Sequence, residues 1–165
     1  MNFASDYFRD RMTGGKEKKE RVFLCIGSEK LAFDSLGPMV GTMLKNRADL
    51  DAYVYGTMAE PVTALQVETA NAFIRRFHPG AEVIVVDSAI GKKEEIGSVK
   101  FFERGLRPAL GIDREMGVVG DKSVMGIVTT KDKIRTPLNC RVRPESVFAL
   151  AEKVVEKIFE EYIIH

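Results

Sequence analysis

RVFLCIGSEKLAFDSLGPMVGTML, residues 21 to 44, is the stretch whose reading decides the fold. Val22, Phe23, Leu24, Cys25 and Ile26 form a short apolar run closed by Gly27, the pattern of a buried strand. A polar turn follows, with Ser28, Glu29, Lys30 and Asp34. Leu36, Met39, Val40, Met43 and Leu44 then recur at helical spacing. Strand, turn and helix in this order are the unit of an open α/β sheet, where loops at the carboxyl ends of strands collect binding and catalytic groups. Asp34 stands in such a loop and is the first candidate functional residue. An aspartate just before a helix is also a common N-cap, and the stretch alone leaves both roles open.

Working outward, EVIVVDS at 82 to 88 repeats the grammar: four β-favouring residues, Val83 to Val86, lead to Asp87 where the strand is expected to end. If the two strands are parallel neighbours, a spacing of roughly 5 Å brings both carboxylates into one cleft. Between them, Ala52 to Tyr55 reads as a short strand ending at Gly56. Pro61 is placed to open a helix with Val62, Leu65, Val67, Ala70, Phe73, Ile74 and Phe77 on its apolar face, and His78-Pro79-Gly80 stops it. This βαβαβ order predicts a parallel sheet covered on both faces.

Beyond Gly91 the rhythm changes. Residues 96 to 103 read as an edge strand, because Lys100 and Glu103 need solvent. Residues 104 to 122 carry Gly105, Gly111, Gly117 and Gly120 and read as a long loop. SVMGIVT, 123 to 129, is a last apolar strand. Pro144 opens a final helix with Val147, Phe148, Leu150, Ala151, Val154, Val155, Ile158, Phe159 and Tyr162 inward. At the other end, residues 1 to 20 read as a mobile arm and linker: Phe3, Tyr7, Phe8 and Met12 share a face before TGGKEKKE. The expected organisation is this arm followed by a single α/β domain over 21 to 165.

Composition excludes several classes. The chain of 165 residues is 45% hydrophobic and 30% charged with a formal net charge of +1. That balance is ordinary for a globular protein and gives no basic surplus for nucleic acid. No run reaches the length of a membrane span, and the polar N-terminus lacks the apolar core of a signal peptide. A cytoplasmic protein with reduced thiols at Cys25 and Cys140 is therefore expected. Neither a P-loop nor a GxGxxG turn is present. With only His78 and His165, a Ser-His or Cys-His nucleophile is hard to build.

What remains is the carboxylate pair. Two carboxylates in one cleft cannot both ionise cheaply, so the pair would hold a shared proton and could act as general acid and base in amide hydrolysis. The alternative is structural, with Asp34 as a cap and Asp87 shaping a loop. Any metal would have to use Asp34, Asp87 and a third oxygen ligand such as Asp121.

CIGSEKLAFDSLGPMVGTML (25 to 44), YGTMAEPVTAL (55 to 65), VDSAIG (86 to 91) and VGDKSVMGIV (119 to 128) together resemble the YyaC family of sporulation proteins from spore-forming Firmicutes, over about residues 21 to 160. The DSLGP turn and the Asp after a hydrophobic strand are more distantly similar to the germination protease of spores. Both groups are similar in fold to the hydrogenase maturation endopeptidases. The resemblance implies a three-layer α/β/α sandwich with a mostly parallel central sheet. It implies a sporulation-associated peptidase of atypical aspartic type, acting on a protein or peptide substrate, with Asp34 and Asp87 catalytic and no tightly bound cofactor. Ser35, Gly37, Ser88, Gly91, Asp121 and Ser123 are the expected cleft-lining residues. Where the endopeptidases present a histidine as third metal ligand, this chain offers Asp121, Lys122 and Ser123. That departure leaves two further readings: a non-catalytic peptide- or partner-binding protein using the same cleft, and a metal-dependent hydrolase. The arm could also serve assembly with a second copy; neither nucleic acid nor membrane is expected as a partner.

Overall fold

A computed structural model describes residues 19–108, 117–134 and 141–164. All but the last two residues of the expected N-terminal arm lie outside the described residues, as do Cys140 and the middle of the glycine-rich 104–122 segment.

The apolar run at 22–26 forms β1 (Arg21–Cys25), and a 3-10 turn (Ala32–Asp34) leads into α1 (Leu36–Lys45). Then come β2 (Tyr53–Tyr55), α2 (Val67–Phe77), β3 (Glu82–Gly91), β4 (Val99–Phe102), β5 (Lys122–Thr130) and α3 (Pro144–Ile158), the last running into a π turn at Phe159–Ile163. The strands form one sheet in the order β2-β1-β3-β5-β4. The first four are mutually parallel and β4 is an antiparallel edge strand on β5.

Alternation along the strands sorts the core into two layers. Phe23, Cys25, Ile84, Val86 and Val124 pack with α1 and α3, whereas Val22, Leu24, Val83 and Val85 pack with Val67 and Ile74 of α2. Near-continuous apolar strands are what a sheet covered on both faces requires. The result is a three-layer α/β/α sandwich. From β1 the chain crosses to β2 on one side, then returns past β1 to β3 on the other. The carboxyl ends of β1 and β3 thus flank a topological switch point, where open α/β sheets form their binding crevice.

Several expectations need correction. Pro61 does not open α2, which begins at Val67. Val62 is held instead by a parallel bridge to Ile26, with Gly27 N–H donating to Val62 O at 3.0 Å, so the chain stays extended there. Leu65, expected inward, is therefore 75% exposed, and Phe73 and Phe77 also face outward. On α3, Phe148 is exposed while the rest of the expected face is buried. β3 does not stop at Asp87 but continues to Gly91, because β5 goes on pairing with it through Thr130, with a register shift between Ala89 and Ile90. Past the end of α2, the His78 ring has Nε2 2.7 Å from the Tyr55 hydroxyl and Nδ1 2.7 Å from Glu20 Oε1. No described helix is long and apolar enough to cross a membrane.

Candidate active site

The turn that carries Asp34 is fixed by its backbone. As β1 ends, Ile26 N–H donates to Val86 O at 2.8 Å, and Ser28 N–H reaches Asp34 O at 2.9 Å. Gly27 passes so close beneath that a Cβ there would sit 2.1 Å from Asp34 O, and its φ of +151° is one that side chains disfavour. Gly37 presses the first turn of α1 onto the strand end, with a hypothetical Cβ 2.0 Å from Ile26 O. Ser35 is buried, and its hydroxyl donates to Ala32 O at 2.8 Å. Ser35, not Asp34, occupies the N-cap of α1, and neither makes a side-chain cap. The Asp34 carboxyl is thus not occupied in capping the helix.

Asp34 and Asp87 line the same cleft, of about 350 Å³, together with Phe33, Ser88, Arg107 and Met125. Past Val86, β3 pairs only with β5 among the described residues, so its β1 side is an unpaired strand edge beside the two acids. Burial pushes the Asp87 carboxyl up to about 8; the Ser88 N–H, 2.7 Å from Oδ1, opposes this, and the negative charge of Asp34 adds to it. Burial also raises Asp34, against the Ser28 N–H. The main cause in both is burial, and the charge of Asp34 is a smaller contribution at Asp87. The more strongly desolvated member, Asp87, keeps the proton, and Asp34 carries the charge.

The remaining expected residues divide. Ser88 lines the cleft. Ser35, Gly37 and Gly91 support it from outside; Gly91 runs close under Ile127 and Glu95, where a Cβ would meet Ile127 Cγ2 at 2.7 Å. Ser123 borders an adjoining groove and donates its hydroxyl to Arg104 O at 3.0 Å. Asp121 is not brought to the cleft. It precedes β5, accepts the Val83 N–H at 2.8 Å and pairs with Arg75 at 2.9 Å, towards the amino ends of the strands. Arg107, Phe33 and Met125 are among the cleft residues that the sequence did not single out. Arg107 follows the RG pair at 104–105, but only the tertiary return of this segment past β5 brings it there.

A third metal ligand would have to come from this lining. Among the described residues there is no cluster of three or more His, Cys, Asp or Glu side chains suited to a metal. The cleft instead supplies two acids, one of them favouring its protonated form, and a guanidinium. That donor set does not fit a resident divalent ion.

The family described as "Protein of unknown function (DUF1256)" matches residues 3–157. The chain belongs to this family. The DUF1256 chain is 36% identical over 110 residues to a Bacillus subtilis (strain 168) protein named uncharacterized protein YyaC, an alignment covering 67% of the chain. It spans only 54% of that relative's length. Among solved structures, this DUF1256 fold is similar to that of the NiFe hydrogenase maturation protease HycI from Thermococcus kodakarensis KOD1, with a TM-score of 0.52, 18% identity and coverage of 96% of this chain and 99% of that one. It is also similar to that of the hydrogenase maturating endopeptidase HybD from E. coli, with a TM-score of 0.50, 16% identity and coverage of 86% and 90%. At these identities the shared property is the fold.

Proposed function

We propose that the cleft is the active site of a peptidase of atypical aspartic type, in which Asp34 and Asp87 act as an acid/base pair on a protein or peptide substrate. The observation that carries this reading is the convergence of two acids, one following β1 and one within β3, in a single cleft at the switch point of the sheet. The environment also separates their roles. Ionised Asp34 takes a proton from water as the water oxygen attacks the scissile carbonyl carbon, while protonated Asp87 gives its proton to the carbonyl oxygen. As the tetrahedral intermediate collapses and the C–N bond breaks, the proton on Asp34 passes to the departing nitrogen. The hydroxyl proton returns to Asp87, so the pair ends as it began. The unpaired edge of β3 supports the same reading, since an extended substrate could add to it as a strand.

The test is cleavage of a mixed pool of capped peptides, sequenced by mass spectrometry, with the wild-type protein and with Asp34→Asn and Asp87→Asn. Each substitution should lower the rate by roughly 10²- to 10⁴-fold while circular dichroism stays unchanged. Cleavage at the wild-type rate in both would overturn the assignment.

The unpaired strand edge also favours a second reading, in which a partner is held and not cut, because strand addition needs no chemistry. On that reading a pulldown from sporulating cells recovers an intact partner that Asp-to-Asn variants still bind; recovery of cleaved fragments alone would exclude it. On the family resemblance, we further take the cytoplasm of the sporulating cell or spore as the place of action. An immunoblot through a sporulation time course should show the protein appearing with spore development; constant levels in vegetative growth would count against this.

A further inference from the structure

The aspartate cleft does not end at the acids. It opens into a larger groove, of about 610 Å³, and the two share Ala89, Ile90, Leu106, Arg107 and Met125. The groove extends past β5 to Lys100 and Phe102 of β4, with Arg104 on its border. Three cations line it, Lys100, Arg104 and Arg107, and no carboxylate does among the described residues. A net charge of only +1 over the whole chain makes this concentration a property of the groove and not of the composition.

The cations are not equivalent. Lys100 is engaged by Glu95. Arg104 and Arg107 are exposed and make no ion pair among the described residues. Arg104 lies with its guanidinium 5.7 Å from the centre of the Phe102 ring. The backbone that carries both arginines is pinned. Ser123 Oγ donates to Arg104 O at 3.0 Å, and Leu106 and Val119 exchange backbone hydrogen bonds of 2.9 and 2.8 Å. Gly105 packs so tightly that a Cβ would lie 2.4 Å from Val119 O. Two guanidinium groups are thus presented from a hydrogen-bonded segment above an apolar floor, and one of them, Arg107, belongs to the aspartate cleft as well.

We propose that this groove selects an extended substrate segment bearing carboxylate side chains beside the scissile bond, with Arg104 and Arg107 as the specificity-determining residues. This rests on the peptidase reading of the adjoining cleft. Planar guanidinium groups match carboxylates bidentately, and the floor accepts the apolar side chains that alternate with them along an extended chain. The chemistry is that of an acidic peptide. A nucleic acid would ask for a longer basic track than these two arginines provide.

The experiment reads binding apart from cleavage. A pool of short capped peptides with randomised sequence is equilibrated with full-length Asp87→Asn protein, and the retained fraction is sequenced; the same pool is digested with the wild-type protein. Retained peptides should be enriched in Asp and Glu, by about fivefold for each arginine engaged at low salt. The enrichment should vanish in Asp87→Asn carrying Arg104→Gln and Arg107→Gln, and turn towards Lys and Arg when both arginines are replaced by Glu. Retention without acidic excess, no retention, or equal composition in the Glu-substituted groove would each overturn the proposal. So would displacement of the peptides by a short thymidine oligomer at equal concentration, which would point to a polyanion site. Acidic retention by Asp87→Asn without cleavage by the wild type would leave the groove standing and remove the peptidase.

Discussion

Replacing Asp87 with Asn should make the protein more stable while disabling it. Burial is the main reason that the folded state holds this carboxyl protonated up to about 8, against an unperturbed value of 3.8. Between those values the folded protein binds a proton that the unfolded chain releases, so wild-type stability falls as pH rises through this window. Asn is neutral in both states and can still accept the Ser88 N–H through Oδ1, so it avoids that cost. At about pH 7 the full linkage is at most about 4 kcal/mol. Relaxation around a group that is only partly buried by exposed surface should reduce the observed gain to about 1 to 3 kcal/mol. For a chain of this size that is roughly 3 to 10 °C in Tm. The assay is a set of paired thermal melts of wild type and Asp87→Asn from about pH 4 to about pH 9. The difference should be close to zero at the acid end, widen steadily, and level off once pH passes the folded-state value. A difference that is constant with pH, or an Asn variant less stable than wild type near neutrality, would refute the reasoning.

The same carboxyl sets a rate prediction: cleavage should decline as pH rises through about 8, where Asp87 loses the proton it must donate, and a pH-rate profile still rising beyond that value would contradict the assignment. Gly27→Ala should destabilise the protein by about 2 to 4 kcal/mol in urea melts, since its Cβ would meet Asp34 O at 2.1 Å and Pro38 Cδ at 2.8 Å. It should also lower cleavage by moving the Asp34 turn; an Ala variant with wild-type stability would show that the turn is not held as described. Finally, cleavage should survive exhaustive chelation, as expected for a cleft with two acids and no third ligand among the described residues; loss of activity restored by a divalent ion would move the chemistry to a metal.

The parallel core was legible because β1 and β3 each carry an unbroken apolar run, Val22 to Cys25 and Val83 to Val86, the pattern of a sheet covered on both faces. Asp87 was legible because it directly follows an apolar run, and Asp34 because it stands in the polar turn between an apolar strand and an apolar helix. What sequence could not supply was the effect of pairing between distant strands. The end of β3 depends on how long β5 stays beside it, so Asp87 lies inside a strand that local pattern ends at Asp87 itself. The start of α2 depends on Ile26 holding Val62, which overrides the helix-opening preference of Pro61. Arg104 and Arg107 were hidden for a related reason: they sit in a glycine-rich segment whose course is set by its bridge to Val119.

Asp121 shows why a strand-associated aspartate is not by itself a site. Like Asp87 it adjoins an apolar strand, and burial alone would raise its carboxyl as well. The Arg75 guanidinium, the Val83 N–H and the charge of Lys19 reverse that and hold it below the usual range. Its oxygens accept from Arg75 Nη1 and Nη2 and from the Val83 N–H, so it ties α2 to the sheet with its charged form favoured. Asp87 meets one backbone N–H and a second negative charge in place of a cation, and is left able to gain or lose a proton near neutrality. Two aspartates that read alike in sequence are thus given opposite tasks by their neighbours. Moving a cation next to Asp87, for instance with Met125→Lys in the lining of the cleft, should pull its titration down towards that of Asp121 and remove the alkaline limb near 8 from the rate profile. Unchanged pH dependence in that variant, with the lysine shown to be folded into the cleft, would mean that the limb belongs to another group.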